Sequence, residues 1–193
     1  MAIFLQSDSL TGPYGLSQGP YLGERLAQSL APIPLIHRWR NGATTADILA
    51  QGLADPLPRT GDLFLYLAGT NDALSCVPAA DIYRRSALYI ERIAFLGSEV
   101  LWLIPPLLEV GATQDPSRST QANAILGTYR RLIEASGVSC YALDPLPHFK
   151  ESMPPEKRHY TTDGVHFTQD FHRFFADDVR DHLLGCLNCN PRG

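Results

Sequence analysis

A serine lies on a short polar turn that follows an apolar run near the start of the chain. The run Ile3-Phe4-Leu5 has the length of a strand, and Ser9 falls where the turn after it would end. A serine at the carboxyl end of a parallel strand directs its hydroxyl into the crevice where open α/β sheets bind ligands. Because a serine hydroxyl is a weak nucleophile at neutral pH, it needs a general base and a site that stabilises an oxyanion.

An aspartate and a histidine near the C-terminus are the candidates for that base and its partner. They stand at the two ends of Asp163-Gly164-Val165-His166. An imidazole can take the serine proton and later return it to a leaving group, and a carboxylate can hold the tautomer and stabilise the imidazolium. We therefore predict a catalytic triad of Ser9, His166 and Asp163.

The oxyanion site is predicted from three hydrogen-bond donors, namely the backbone N–H groups of Ser9 and Gly42 and the side-chain amide of Asn71. Glycine suits such a position because a Cβ would obstruct close approach of a substrate. The neighbouring aspartates, Asp8 and Asp72, are expected to brace their turns through local hydrogen bonds.

Strands and helices alternate along the whole chain. The predicted strands begin at Ile3 and then cover residues 33–39, 62–68, 100–104 and 138–143, with helices between them and after His166. Such alternation is typical of βαβ units with right-handed crossovers and a parallel sheet. We predict an α/β protein of three α/β/α layers with a doubly wound five-stranded parallel sheet, as a single domain over residues 1–193. The segment 144–162 has four prolines and is predicted to be a loop over the functional edge.

In such a sheet, the segments that follow strands one, two, three and five leave at the same edge. The topology therefore brings Ser9, Gly42, Asn71 and the Asp163/His166 pair together, although they span most of the sequence. Each block alone is weak, since a serine, a glycine or an aspartate at a turn is more often structural. His159 is the main rival to His166, but no acidic residue is patterned beside it.

Together these blocks resemble the SGNH (GDSL) hydrolases, and most closely the small bacterial thioesterase/lysophospholipase/arylesterase branch. Four segments match the family's blocks in order: Asp8-Ser9-Leu10, Gly42-Ala43-Thr44-Thr45, Gly69-Thr70-Asn71-Asp72 and Asp163-Gly164-Val165-His166. The resemblance implies a flavodoxin-like fold and hydrolysis of a carboxylic ester or thioester through an acyl-enzyme. It implies that Ser9 is the nucleophile, that His166 and Asp163 complete the triad, and that Gly42 and Asn71 complete the oxyanion hole. The chain departs from the family at Ser7, where a glycine is usual.

Two alternatives to a hydrolase remain open at this point. An acyltransferase would use the same acyl-enzyme but pass the acyl group to an alcohol, and a catalytically silent binding module would keep only the fold. The expected partner is in each case a small molecule. Neither a cofactor nor a metal is expected, because this chemistry needs no metal and the sequence has no phosphate-binding glycine loop.

Composition limits the other classes of function. The net charge of −4 over 193 residues argues against nucleic acid or an anionic membrane as a partner. The start of the sequence lacks the pattern of a signal peptide, and no segment has the length of a membrane span, so a cytoplasmic location is expected. Cys186 and Cys189 form a Cys-Leu-Asn-Cys pair without further metal ligands nearby, and we interpret them as incidental thiols.

Overall fold

The apolar runs of the sequence form one parallel sheet in the computed structural model, which describes residues 1–16, 19–54, 57–137 and 140–189. Its strands are β1 (Ile3–Ser7), β2 (Leu35–Trp39), β3 (Leu63–Leu67), β4 (Glu99–Leu103) and β5 (Cys140–Leu143). They are ordered β2-β1-β3-β4-β5, and each neighbouring pair is parallel. The predicted α/β class with a parallel sheet is confirmed.

Helices connect the strands and cover both faces of the sheet. They are α1 (Leu22–Ser29), α2 (Thr45–Ala54), α3 (Thr70–Leu74), α4 (Ala79–Phe95), α5 (Pro116–Glu134), α6 (Leu146–Ser152) and α7 (Gln169–Cys189). Strand β3 shows how the layers arise, because successive side chains of a strand point to opposite faces. Phe64 and Tyr66 join a core with residues of α2, α4 and α5, whereas Leu65 joins a second core with residues of α1, α6 and α7. The predicted three-layer arrangement is therefore confirmed.

The segment 144–162 is more regular than the sequence analysis predicted. It contains α6 and a turn of 3-10 helix at Pro155–Lys157, so the prediction of a loop throughout is wrong. Prolines are tolerated in the first turn of a helix, where the N–H groups have no intrahelical partner. Phe149 then fixes α6 in place, since it is fully buried and lies 4.9 Å from Phe171 of α7, ring centroid to ring centroid.

Strand β1 lies between β2 and β3, which decides where the candidate site forms. At the carboxyl end of β1, Ser7 is in register with Trp39 of β2 and with Leu67 of β3. The segments that contain Ser9, Gly42 and Asn71 therefore leave the sheet from adjacent strand ends. Within the described ranges, no helix is long and apolar enough to cross a membrane.

Candidate active site

Ser9 is the first residue of a single 3-10 turn, Ser9–Thr11, that follows β1 after Asp8. Asp8 caps this turn, because its Oδ1 accepts a hydrogen bond from the Leu10 N–H at 3.0 Å. The Gly12 N–H donates to the Ser9 carbonyl at 3.1 Å and closes the turn from the other side. The local hydrogen bond expected of Asp8 is thus present, and it fixes the backbone on both sides of Ser9.

Ser7, which replaces the glycine usual at this place, takes part in closing the turn. Its buried hydroxyl is hydrogen-bonded to the hydroxyl of Thr11. The Thr11 hydroxyl is in turn 2.7 Å from Nε2 of His37 in β2. Burial lowers the pKa of His37 to about 4, so this imidazole is neutral at neutral pH. The side chain at Ser7 therefore links the turn to its own strand and, through Thr11, to the neighbouring one.

Asp8 is an ionisable group in an apolar place. It is fully buried, and burial raises its pKa to about 7, with the nearby charge of Asp72 acting in the same direction. Its Oδ2 has no hydrogen-bond partner among the described residues. A neutral carboxyl is favoured here because the charged form would lose its hydration without gaining a counter-charge.

His166 lies next to Ser9, although 157 residues separate the two in sequence. Its Nε2 is 3.2 Å from the Ser9 Oγ, and its Nδ1 is 2.8 Å from Oδ2 of Asp163. When Nδ1 carries the proton and donates to the carboxylate, Nε2 is left to accept the hydroxyl proton of Ser9. The structure thus joins the three predicted triad residues in one chain of hydrogen bonds.

A tight loop holds Asp163 and His166 in this relation. Oδ1 of Asp163 accepts from the backbone N–H groups of Val165 at 2.9 Å and His166 at 2.8 Å, so its other oxygen is aimed at the imidazole. Gly164 lies between them with φ of +89°, a conformation that L side chains rarely adopt. A Cβ there would also lie 2.0 Å from Cγ2 of Thr113. The glycine of this block is therefore required both by its backbone conformation and by its neighbour.

The ionised form of Asp163 is favoured by these contacts. Burial alone would raise its pKa, but hydrogen bonds from the His166 N–H, the His166 ring and the Val165 N–H outweigh burial and lower it. Asp163 therefore stays a carboxylate at neutral pH and can stabilise a positive charge on the imidazole.

The loop after the Ser9 turn also packs against His166. The ring of Tyr14 lies 4.0 Å from the imidazole, centroid to centroid, while 46% of the residue stays exposed. A Cβ on Gly15 would lie 3.3 Å from that of His166. Sequence reasoning missed Tyr14, because nothing in its spacing relates it to a histidine so far along the chain.

A hydrogen bond links Asn71 to the residue that follows Gly42. The Asn71 Nδ2 donates to the carbonyl of Ala43 at 3.0 Å, which joins the segment after β2 to the start of α3. Gly42 is exposed and has φ of +70°, and no described atom lies within 4 Å of the place where a Cβ would be. An amide has two N–H groups, so the bond to Ala43 orients Asn71 and leaves one donor for a ligand.

Asp72 also connects the segment after β2 with the start of α3, at a position deeper in the protein. Its carboxylate accepts from the Thr45 N–H at 2.7 Å and from the Thr45 hydroxyl at 2.8 Å, and Arg85 lies 3.4 Å away. Burial raises the pKa of Asp72, although the bonds from Thr45 and the charge of Arg85 oppose this effect. These long-range partners differ from the local bonds that the sequence analysis expected, because the register of β1 with its two neighbours places Thr45 beside Asp72.

The other histidines have structural surroundings. His172 is buried and accepts a hydrogen bond from the Leu22 N–H at Nδ1, 3.1 Å away, and burial lowers its pKa to about 3. His159, the rival base, is 3.2 Å from a carboxylate oxygen of Glu109, and its side chain is 77% exposed. In the described part of the chain, no cluster of three or more His, Cys, Asp or Glu could hold a metal ion. The side chains of Cys186 and Cys189 lie outside the described residues.

A cleft of about 540 Å³ adjoins Asp163. We call it the side cleft, and its lining includes Leu74, Thr113, Arg118, Asp163 and Val165. Leu74 ends the short helix that begins beside Asn71, and Asp163 is bonded to His166. The side cleft thus connects the segment after β3 with the loop that holds the imidazole, and it offers both apolar and polar surface.

Comparison with known proteins gives a family match in sequence. The sequence model of the GDSL-like Lipase/Acylhydrolase family matches residues 8–174, a range that includes each of the four blocks. No curated protein sequence matches the chain significantly.

Solved structures share the fold at low sequence identity. A member of the lipolytic protein G-D-S-L family from Veillonella parvula has a TM-score of 0.76 at 16% identity, over 94% of this chain and 97% of that one. The acetyl xylan esterase AlAXEase has a TM-score of 0.75 at 17% identity, over 95% and 100%. A lipase/acylhydrolase from Enterococcus faecalis has a TM-score of 0.69 at 19% identity, over 96% of each chain.

Proposed function

We propose that this chain, which belongs to the GDSL-like Lipase/Acylhydrolase family, hydrolyses a carboxylic ester or thioester through an acyl-enzyme on Ser9. Family membership makes it a hydrolase, and the finer assignment depends on one observation. This is the chain of hydrogen bonds from the Ser9 hydroxyl to His166 at 3.2 Å and from His166 to Asp163 at 2.8 Å. A nucleophile, a base and an orienting carboxylate in this order are what acyl transfer requires.

The first half of the reaction forms the acyl-enzyme. The Ser9 Oγ attacks the carbonyl carbon of the substrate while Nε2 of His166 takes the hydroxyl proton, which gives a tetrahedral intermediate and an imidazolium. Asp163 stabilises this imidazolium. The intermediate then expels the alcohol or thiol, which leaves with the proton from Nε2.

The second half returns the enzyme to its starting state. A water molecule attacks the acyl carbon while Nε2 takes one of its protons. The second tetrahedral intermediate collapses, Ser9 leaves and regains the proton, and the carboxylic acid is released. The atoms balance with one water consumed for each ester or thioester bond cleaved.

We assign the oxyanion hole to the backbone N–H groups of Ser9 and Gly42 and the side-chain amide of Asn71. The exposed, left-handed Gly42 leaves room for a substrate beside its N–H, and the bond to Ala43 holds the Asn71 amide in a fixed orientation. Donors that are fixed before the reaction stabilise a developing charge without reorganising. Removal of one such donor typically costs about 100-fold to 1000-fold in kcat.

We propose that the side cleft holds one of the two groups flanking the scissile bond. It adjoins Asp163 and has a volume of about 540 Å³, and both Leu74 and Arg118 line it. Apolar and polar surface in one cleft favours an uncharged or weakly polar group of modest size. One structural relative is titled an acetyl xylan esterase, so acetylated sugars belong in a substrate screen beside aryl and thioesters.

The direct test is hydrolysis of p-nitrophenyl acetate and butyrate by the wild type and by Ser9→Ala. We expect turnover by the wild type, loss of nearly all activity in Ser9→Ala, and labelling of the wild type alone by a fluorophosphonate probe. Ser29→Ala is the matched control, because Ser29 is exposed at the end of α1. The proposal is refuted if the wild-type protein is folded but neither turns over esters nor takes the label. Formation of an acylated alcohol in place of the free acid, when alcohols are added, would identify an acyltransferase.

A further inference from the structure

Glu109 is bonded to both the base and the tip of the loop that holds Asp163 and His166. At the base, its Oε2 accepts from the Thr161 N–H at 3.0 Å and from the Thr161 hydroxyl at 2.6 Å. At the tip, its backbone N–H donates to the Gly164 carbonyl at 3.0 Å. A single residue of the segment after β4 therefore fixes the loop at two points.

A displacement of Thr161 would be passed on to the imidazole of His166. It forms an antiparallel bridge with Phe167, and inside that bridge the Thr162 N–H donates to the His166 carbonyl at 2.8 Å. The residues between Thr161 and Phe167 thus form a loop that is closed by backbone hydrogen bonds. Ser9 belongs to a different element, so its distance from His166 depends on where this loop sits relative to the sheet.

The bonds of Glu109 differ in their surroundings. The Glu109 side chain is 15% exposed, and Thr161 is buried. The contact with His159 is different, because that histidine side chain is 77% exposed and water competes for the hydrogen bond. The buried bonds to Thr161 are therefore the ones expected to hold the loop, since a buried N–H that loses its acceptor is costly.

We infer that Glu109 is a positioning residue for the His166 base, and that it acts by anchoring Thr161. This role rests on the proposed function, because it concerns the same Ser9–His166 pair. Glu109 does not touch the reacting atoms. It holds the loop in the position in which Nε2 of His166 lies within hydrogen-bond distance of the Ser9 Oγ.

The test compares Glu109→Ala with Glu109→Gln in steady-state hydrolysis of p-nitrophenyl acetate. We expect Glu109→Ala to lower kcat by about 10-fold to 100-fold, with KM within about 2-fold of wild type, because a small displacement of a catalytic group is costly. The rate of Ser9 labelling by a fluorophosphonate should fall in parallel. Glu109→Gln should restore most of kcat, since an amide oxygen can accept both bonds from Thr161.

Two further variants make the result specific. Glu156→Ala is the matched control, because Glu156 is an exposed glutamate in the 3-10 turn Pro155–Lys157, a few residues before Thr161, and its kcat should equal that of wild type. Thr161→Val removes only the hydroxyl donor and should lower kcat about 3-fold to 10-fold. It also decides the question if Glu109→Ala does not fold, as judged by circular dichroism and thermal unfolding.

If Glu109→Ala folds and its kcat is unchanged, the inference is overturned while Ser9-dependent hydrolysis stands. If the alanine variant does not fold, an unchanged kcat in Thr161→Val overturns it in the same way. A raised KM with unchanged kcat would overturn it as well, since it would make Glu109 a binding residue. So would a glutamine variant no better than alanine. A folded wild type without Ser9-dependent hydrolysis would refute the proposed function and this inference together.

Discussion

The ring of Tyr14 packs against the imidazole of His166, with the centroids 4.0 Å apart and the planes inclined by 39°. Tyr14 is 46% exposed, so the ring covers the imidazole and is not part of the core. A cation beside an aromatic ring is stabilised by about 0.5–1 kcal/mol at an exposed site. In the mechanism proposed above, the imidazole gains a positive charge when it takes the serine proton, so this contact would favour the intermediate over the resting enzyme.

We therefore expect Tyr14→Ala to lower kcat/KM by about 2-fold to 5-fold, and Tyr14→Phe to stay close to wild type. The phenylalanine variant is the matched control, because it keeps the ring and removes only the hydroxyl. Steady-state hydrolysis of p-nitrophenyl acetate measures both. A phenylalanine variant as impaired as alanine would assign the effect to the hydroxyl and contradict the packing argument.

The amide of Asn71 gives a sharper prediction for the oxyanion site. Asn71→Ala should lower kcat by about 100-fold to 1000-fold, because it removes a fixed donor that also bonds Ala43 at 3.0 Å. Thermal unfolding checks that the variant remains folded. A kcat within about 3-fold of wild type would exclude the Asn71 amide from stabilisation of the intermediate.

The fold was predictable because its signals are local. Strand β3 is an almost unbroken apolar run, and such runs mark strands buried on both faces. Asp163 and His166 could be paired in advance for the same reason, since they lie on one short loop. The helix in the long segment before them was harder to predict, because Phe149 supports it by packing against residues of α7, among them Phe171.

The long-range contacts that hold the site residues in position could not be predicted in the same way. Glu109 contacts Thr161 across 52 residues, and Asp72 contacts Thr45 across 27. Neither pair has a sequence spacing that any local rule recognises, and a lone glutamate after a strand has many ordinary explanations. Such contacts follow from strand order and register, which set the distances between loops only after the chain has folded.

Asp163→Asn separates the two jobs of that carboxylate. The amide oxygen can still accept from the N–H groups of Val165 and His166, as Oδ1 does now. The other atom becomes a donor and can no longer accept from Nδ1, so the imidazole loses the tautomer that the reaction needs. We expect kcat to fall by about 100-fold to 10,000-fold with little loss of stability.

The matched control for this change is Asp170→Asn. Asp170 lies in the first turn of α7 with 40% of its side chain exposed, and it pairs with Arg173 at 3.1 Å. Its loss should leave kcat unchanged, because exposed ion pairs contribute little. An Asp163→Asn variant with the kcat of this control would contradict the orienting role of Asp163, and the comparison needs only p-nitrophenyl acetate and a melting curve.

Asp8 makes stability depend on pH in a direction opposite to most carboxylates. Burial raises its pKa from 3.8 to about 7, so between these values the folded chain holds a proton that the unfolded chain releases. The stability that this group contributes is complete below about pH 3.8 and is lost as the pH rises through about 7. His172, whose pKa burial lowers to about 3, acts in the other direction and loses its contribution as the pH falls.

A comparison of wild type with Asp8→Asn isolates the aspartate, because His172 is common to both. The asparagine oxygen can still accept from the Leu10 N–H, and its NH₂ group changes stability by the same amount at each pH. Between pH 4 and pH 8, the free energy of unfolding of the wild type should therefore fall relative to the variant by on the order of 3 kcal/mol. Urea unfolding at each pH measures the difference, and two curves that stay parallel over this range would mean that Asp8 is ionised in the folded protein.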